Sequence, residues 1–419
     1  LQRAQEVTYT HKLPSMASNK SSALKIGDLI DVTIEKVAHG GHFIARHDGA
    51  VIFVRHAIPG EQCTIEVTST GSSFNRADVV SVAQPSEYRV EPPCKYAHRL
   101  GCGGCDFQHI TPAHQRALKS NVITEQFSRI AKKEISVQVE EVGDPIGWRT
   151  RAIATTNRNG KLGFYKSRSH SIAPVDDCII CVKGMNFSEI AARPLKGDVR
   201  VEISASSSGE RTIALAPTRG EEKARITEGQ TILHEVVHGK TLEVSQDSFW
   251  QSHVKAPEVL TNAVLDFARL KKGEHVLDLY GGVGLFTAAM IDVVGPEGHV
   301  DLIEGSKVAT EDARRNFAAA KNVTIATGDV AKLLPRVSAA DVVVLDPPRE
   351  GAGKEVIAQL VALNPRAIVY VACDPAALAR DTAYLEDHSY SLVNLRAFDL
   401  FPMTHHIECV ALYERAEVS

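Results

Sequence analysis

Two apolar runs constrain this chain more than anything else in it. Val342-Val-Val-Leu-Asp346-Pro-Pro-Arg349 and Val369-Tyr-Val-Ala-Cys373-Asp-Pro375 are each continuous, rich in β-branched residues and stopped by an Asp-Pro step. Such runs read as strands buried in a sheet, with a turn beginning at the Asp-Pro. In open α/β sheets, ligands sit at the carboxyl ends of the strands. The runs therefore place a carboxylate, Asp346, and a thiol, Cys373, where chemistry is done. Cys373 is a candidate nucleophile. The plain alternative is a structural cysteine in the core, a common fate for that residue.

The surrounding sequence has the matching rhythm. From Leu242 onward strand and helix alternate. Phe249-Trp-Gln251 precedes a helix starting near Ala256, and His275–Leu279 is a strand containing Asp278. Tyr280-Gly-Gly-Val-Gly284 follows, then a helix over Leu285–Val294. Val300–Ile303 ends at Glu304, and Val323–Ala326 leads to Asp329. This is a doubly wound, Rossmann-like α/β sheet. A dinucleotide fingerprint needs a third glycine that Gly282-Val-Gly284-Leu-Phe-Thr287 lacks. Asp278 would repel a pyrophosphate but suits a sulfonium and an amino group. Glu304 is placed for ribose hydroxyls, Asp329 for an adenine amino group, and Asp346-Pro-Pro sits as in methyltransferases. S-adenosylmethionine is the expected cofactor, with a dehydrogenase as the lesser alternative.

At 419 residues the chain has room for two or three domains of roughly 100–200 residues each. Its 44% hydrophobic and 23% charged content is ordinary for a globular protein. No run approaches the ~18 apolar residues of a membrane helix, and Leu1–Lys20 has no apolar signal core. A cytoplasmic, monomeric protein with no membrane partner is expected. Met16 reads as a start, and residues 1–23 as a disordered tail. The net charge of −4 excludes a global polycation. However, Pro145–His170 holds Arg149, Arg151, Arg158, Lys161, Lys166 and Arg168 with no acid. That is either a phosphate-binding face or a solvated surface.

Residues 24–83 read as short strands broken by His39-Gly-Gly41, Asp48-Gly49 and Pro59-Gly60. This suggests a five-stranded, OB-like barrel, with Cys63 in its core. Residues 84–240 read as a mainly β central domain with one helix between Ala113 and Lys133. Arg151–Asn157, Leu162–Phe164 and Ile172–Val175 are expected strands, and Val199–Ser204 should pair with Arg211–Ala216. Residues 241–419 hold the Rossmann-like domain. The eight cysteines need a cytosolic explanation other than disulfides. Cys102-Gly-Gly-Cys105 lets two sulfurs face one centre, the glycines permitting the tight backbone. Cys94, Cys102 and Cys105, with Cys178 or Cys181, would make a four-thiolate site. Seven residues separate Cys94 from Cys102. That loose spacing favours a [4Fe–4S] cluster over structural zinc.

The acceptor atom follows from the side chains. Arg349 stands where enzymes that methylate base amino groups place a stacking aromatic. Carbon 5 of a pyrimidine is a poor nucleophile until something adds at carbon 6, and a thiolate adds reversibly. Cys373 supplies that thiol. A base must then remove the carbon-5 proton. In Phe401-Pro-Met-Thr-His405-His406-Ile-Glu408, Glu408 is the best-placed acid, with His405 and His406 as alternatives.

Residues 24–83 resemble a TRAM domain, an RNA-binding module, through D-V-T-I-E-K-V-A-H-G-G and G-A-V-I-F-V. With C-G-G-C-D-F-Q-H, F-W-Q, D-L-Y-G-G-V-G, L-D-P-P-R, V-A-C-D-P and T-H-H-I-E, Leu24 to Tyr413 resembles the iron–sulfur-containing RNA (uracil-5-)-methyltransferases. The resemblance implies 5-methyluridine formation in ribosomal or transfer RNA, with Cys373 as nucleophile and Glu408 as base. It implies Gln251, Tyr280, Glu304, Asp329 and Asp346 around S-adenosylmethionine and uracil, and Cys94, Cys102, Cys105 and Cys178 around the cluster. The chain departs from the family at Asp374, where asparagine is usual, and in the Cys94–Cys102 spacing. Competing readings are an RNA-binding assembly factor with a relic methyltransferase fold, and cytosine-5 methylation.

Overall fold

The computed structural model describes residues 24–220 and 222–415; the expected N-terminal tail lies outside them. The first unit is a closed five-stranded barrel of Leu29–Ala38, His42–His47, Ala50–Arg55, Gln62–Ser69 and Asn75–Gln84. Alternation drives it, as in Ala50–Arg55, where Ile52 and Val54 are buried and their neighbours less so. Asp48 and Gly49 both have positive φ, 48° and 81°. They close the tight hairpin in which His47 pairs with Ala50. Cys63 is 2% exposed in the barrel core.

The central part is a six-stranded antiparallel sheet, ordered 225–228, 211–217, 199–205, 151–156, 162–165, 172–174. Val199 pairs with Pro217 and Ala205 with Arg211, the hairpin expected from sequence. The helix preceding it runs Pro112–Gln126 and ends in a wide turn, Phe127–Ala131.

The largest sheet has eight strands, ordered 323–327, 299–304, 275–279, 342–345, 367–372, 408–415, 390–398, 139–140. Its first five strands are parallel. Val342–Leu345 and Ala367–Ala372 are buried at every position, as central strands covered by helices on both faces must be. The strand Glu408–Arg415 inserts antiparallel beside the Cys373 strand. Val139–Glu140, from the segment before the central sheet, adds the last strand. The hairpin Ile232–Val237/Lys240–Ser245 docks on the helix Lys307–Asn316, with Ser245 donating to Asp312 at 2.8 Å.

One apolar core runs from the barrel through Leu118, Val122 and Phe127 into the large sheet. A buried ion pair crosses this join. Lys119 Nζ donates to Asp399 Oδ1 at 2.6 Å and to the Phe401 carbonyl at 3.1 Å, with both side chains almost wholly excluded from water. Burial lowers the Lys119 pKa and Asp399 opposes it. Removing one partner strands the other charge in a dry site. Lys119→Ala should therefore destabilise by about 3–5 kcal/mol in denaturant unfolding. Lys119→Met with Asp399→Leu should cost clearly less, and equal losses for both variants would contradict the assignment.

Candidate active site

The strand Ala367–Ala372 ends at Cys373, and the helix Pro375–Asp387 begins two residues later. Asp374 makes the switch abrupt. Its Oδ1 accepts from the amides of Ala376 at 3.0 Å and Ala377 at 2.8 Å, a helix N-cap. Pro375 then occupies the first helical turn, where its missing N–H costs nothing. The thiol is held between a fixed strand and a fixed helix.

The pairing register brings the candidate base to it. Ala372 pairs with Cys409 across the antiparallel strands. One residue further along, Cys373 stands opposite Glu408, and alternation points both side chains to the same face. Asp346 emerges from the adjacent parallel strand, its amide donating to the Leu279 carbonyl at 3.2 Å. Gln251 Nε2 lies 3.4 Å from Asp346 Oδ2. Thus Cys373, Glu408, Asp346 and Gln251 meet at one end of the sheet.

Glu408 is buried, Cys373 and Asp346 are half-buried, and the site is crowded with acids. Burial, then the carboxylates of Glu408 and Asp346, push the Cys373 thiol up to about 12. Burial, then Asp346, raises Glu408 well above the usual carboxylate range. Burial, then Asp278 and Glu304, raises Asp346 in turn. Closely packed carboxyls in low dielectric cannot all ionise. Burial therefore favours the protonated forms of the thiol, Glu408 and Asp346.

The neighbouring half is built for a cationic, ribose-bearing ligand. Glu304 closes its strand and accepts from the Gly282 amide at 3.0 Å and the Ser306 amide at 2.6 Å. Asp278 is fully buried; Oδ2 accepts from the Thr287 amide and hydroxyl, while Oδ1 has no partner among the described residues. A Cβ at Gly281 would stand 3.0 Å from the Asp278 carboxyl carbon and 2.7 Å from Leu302 Cγ, so this turn takes no side chain there. Tyr280 has φ 61°, uncommon for an aromatic residue, and its amide donates to the Ile303 carbonyl. Asp329 caps a short helix through Lys332, close enough to Tyr280 for its charge to be felt there. Asp346 couples to Asp278 and Glu304 on one side and Glu408 on the other, so it lies where the two halves meet.

The two histidines resolve differently from Glu408. His405 Nδ1 is bound to Asp106 at 2.6 Å. Burial, then the charge of His405, drops His406 to about 3, which leaves it a neutral ring with little basicity. Sequence reading missed Asp106 as a partner, although it lies in C-D-F-Q-H. It also missed the barrel's contribution. His39 Nε2 approaches Asp374 Oδ2 at 3.0 Å. Gly41, at φ 79°, packs so closely that a Cβ would stand 2.8 Å from His405 Nδ1. The His39-Gly-Gly turn of the barrel therefore rests on Asp374, next to Cys373, and on His405, in the loop ahead of Glu408. No local pattern announces contacts between residues more than 300 positions apart.

Cys94, Cys102, Cys105 and Cys178 line one cavity together with Gln108 and Arg149. Cys181 instead packs into the central core at 8% exposure. Gly103 fits only as glycine, since a Cβ would meet the Ser167 amide at 2.5 Å. Among the described residues, no three His, Cys, Asp or Glu side chains converge tightly enough to hold a single metal ion.

Three family models match parts of the chain. Residues 23–80 match the TRAM domain, residues 336–416 the tRNA (Uracil-5-)-methyltransferase family, and residues 233–362 the protein-L-isoaspartate(D-aspartate) O-methyltransferase family. A Streptomyces avermitilis protein named "Uncharacterized RNA methyltransferase" is 42% identical, covering 93% of this chain and 99% of its own. A similarly named Streptomyces coelicolor protein is 41% identical over 93% of this chain and 94% of its own. Among solved structures, the Pyrococcus abyssi tRNA (uracil-54, C5)-methyltransferase with S-adenosyl-L-homocysteine shares the fold. Its TM-score is 0.72 at 21% identity, covering 92% of this chain and all of that one. No helix among the described residues is long and apolar enough to cross a membrane. The chain belongs to the S-adenosylmethionine-dependent RNA methyltransferases, with a TRAM match at residues 23–80 and a tRNA (Uracil-5-)-methyltransferase match confined to residues 336–416.

Proposed function

We propose that this enzyme methylates carbon 5 of a uridine in ribosomal or transfer RNA through a covalent adduct on Cys373. The observation that carries the reading is the strand register that sets Cys373 opposite Glu408, with Asp346 beside them. When bound, S-adenosylmethionine supplies an electrophilic methyl group; the Glu304 half of the site, with Tyr280 and Asp329, holds its nucleoside. The protonated Asp346 donates to the uracil O4, and Gln251 fixes that carboxyl's orientation. As the RNA binds, Cys373 Sγ and Glu408 each release a proton to solvent; Sγ then bonds to carbon 6, and the electron pair of the 5,6 double bond moves toward O4. Carbon 5 takes the methyl group, with S-adenosylhomocysteine as the leaving group. Glu408, ionised by then, accepts the carbon-5 proton, the double bond reforms, and the Cys373 thiolate leaves. An acid kept neutral by its site is what a hydrogen bond to a developing oxyanion needs.

The cysteine cavity fits a [4Fe–4S] cluster in this reading. Four cysteines line one cavity, and the buried Arg149 Nε beside them has no partner among the described residues. Thiolate-ligated iron–sulfur carries net negative charge that this guanidinium would face. Cys94, Cys102, Cys105 and Cys178 would hold it. Its role here is structural. The Phe107 amide donates to the Met403 carbonyl at 3.0 Å, and Asp106 holds His405, so fixing the cysteine turn fixes the loop ahead of Glu408.

Nucleoside mass spectrometry of RNA treated with the protein and S-adenosylmethionine tests the reading. 5-Methyluridine is expected with the native chain and none with Cys373→Ala; retained product would refute the covalent route, and 5-methylcytidine would reassign the base. Glu408→Gln should lower turnover by about 10²–10⁴-fold while leaving the adduct able to form. A burst of adduct without release is its signature, and normal turnover would remove Glu408 as base. Burial pushes the Cys373 thiol up to about 12 and the Asp346 carboxyl up to about 7, so kcat/KM should climb about tenfold per unit below pH 7 and run flat above it, the thiol's gain cancelling the acid's loss. A climb that continues to about 8.5, the ordinary thiol value, would contradict the need for a protonated Asp346. Protein purified without oxygen should absorb near 400 nm, roughly as iron–sulfur thiolates do, and Cys105→Ala should lose that band. Stoichiometric zinc in its place would overturn the cluster.

A further inference from the structure

Part of the basic run at 145–170 takes no part in the catalytic site, and its tip reaches the barrel. Lys166–Ser171 closes the hairpin of Leu162–Tyr165 and Ile172–Pro174, the Lys166 amide donating to the Ser171 carbonyl. Arg168 stands exposed at this tip with φ 50°. Between the tip and the barrel wall lies a pocket whose lining includes Arg55, Arg76, Arg168, His42 and Phe53.

The charges in this pocket do not balance. Three guanidinium groups line it against one carboxylate, Asp78, which lies 3.9 Å from Arg55. Burial, then the charge of Arg168, lowers the Arg76 pKa, so the two cations feel one another. Arg76 Nη1 and His42 Nε2 are buried with no partner among the described residues. Polar atoms withdrawn from water without a partner carry a desolvation cost that a ligand would relieve. His42 Nδ1 donates to the Gly40 carbonyl at 2.8 Å, which leaves Nε2 of the neutral ring as an acceptor.

An aromatic pair forms the pocket's edge. Phe53 and Phe74 meet edge to face at 5.2 Å, Arg76 lies 4.8 Å from the Phe74 ring centre, and Phe74 is 40% exposed. An exposed ring beside clustered arginines is the composition of a single-stranded nucleic-acid track.

We propose that this pocket, shared by the barrel and the central domain, binds a backbone phosphate of the RNA flanking the target nucleotide. Arg76 and Arg168 clamp the phosphate oxygens. His42 Nε2 takes a hydrogen bond from a ribose 2′-hydroxyl, and Phe74 offers a face to the adjoining base. The site deepens the RNA methyltransferase reading and rests on it. It also connects to the catalytic centre, because His42 follows Gly41, which packs on His405. One turn of the barrel would then touch both the flanking strand and the loop ahead of Glu408.

Fluorescence anisotropy with the full chain and a labelled oligouridine of about 15 nucleotides tests this, since base stacking and phosphate contacts tolerate any sequence. Arg168→Gln, at an exposed tip, cannot unfold the protein, and Arg76→Gln extends the series. Each should weaken binding at least about fivefold and flatten the plot of log affinity against log salt by about 0.7 for each phosphate no longer neutralised. S-adenosylmethionine affinity should stay unchanged. His42→Phe should narrow the preference for oligouridine over oligodeoxyuridine. Unchanged affinity and slope in Arg168→Gln would overturn the proposal, even with 5-methyluridine formation intact. So would tight binding of inorganic phosphate that displaces neither oligonucleotide, which would assign the pocket to free phosphate. Arg168-dependent binding in a protein that forms no 5-methyluridine would support the pocket and defeat only the catalytic reading.

Discussion

Antiparallel pairing of Glu408–Arg415 with the Cys373 strand is the constraint on which the rest depends. A slip of one residue would turn Glu408 to the opposite face and bring Cys409 toward the substrate. The register is held from both ends. Along the strand, pairing runs without interruption from Ala367–Glu414 to Ala372–Cys409. Before it, the 399–407 loop is fastened by Lys119 to Asp399, by Gln115 to the Met403 amide, and by Asp106 to His405. All three fastening side chains come from the segment that follows the barrel. The central region thus fixes the loop from which Glu408 emerges.

The electrostatics follow from the same packing. Two fully buried strands end where Cys373 and Asp346, both half-buried, meet the buried Glu408. A crowded cluster of acids withdrawn from water favours neutral forms. That would hinder a protein that needed a standing thiolate, but it suits one in which charge develops only with the pyrimidine in place. A resting thiol is also protected from oxidation, because the thiolate is the reactive form. The barrel adds a second layer of control. His39 faces the second oxygen of Asp374, whose first oxygen caps the helix after the nucleophile. Asparagine at 374 would leave that contact without a charge, so the acid found in this chain ties barrel docking to the start of the helix after Cys373.

Much of this was legible in the sequence because its signals are local. V-V-V-L-D-P-P and V-Y-V-A-C-D-P state burial, strand end and chemistry within a few residues. The glycine-broken barrel strands and the 199–204/211–216 hairpin were equally readable from pattern. Cys94, Cys102 and Cys105, with Cys178 or Cys181, were grouped by type, and the first three share one cavity with Cys178. Hidden were the contacts that depend on how separate elements dock. Lys119 looks like any helix-surface lysine, yet it is buried against Asp399. Asp106 reads as a polar neighbour of a cysteine, yet it holds His405. His39 reads as turn punctuation, yet it reaches Asp374. Val139–Glu140 is too short for any periodicity to reveal, and only the exposed edge of Tyr390–Phe398 makes it a strand.

The most direct measurement uses substrate RNA carrying 5-fluorouridine at the target position, incubated with the protein and S-adenosylmethionine. Fluorine cannot leave as a proton to Glu408, so methyl transfer should proceed and release should stop. The account expects a denaturation-stable protein–RNA complex, with peptide mass spectrometry placing the methylated fluorouridine on Cys373. No stable complex, or a complex joined through any other residue, would contradict it.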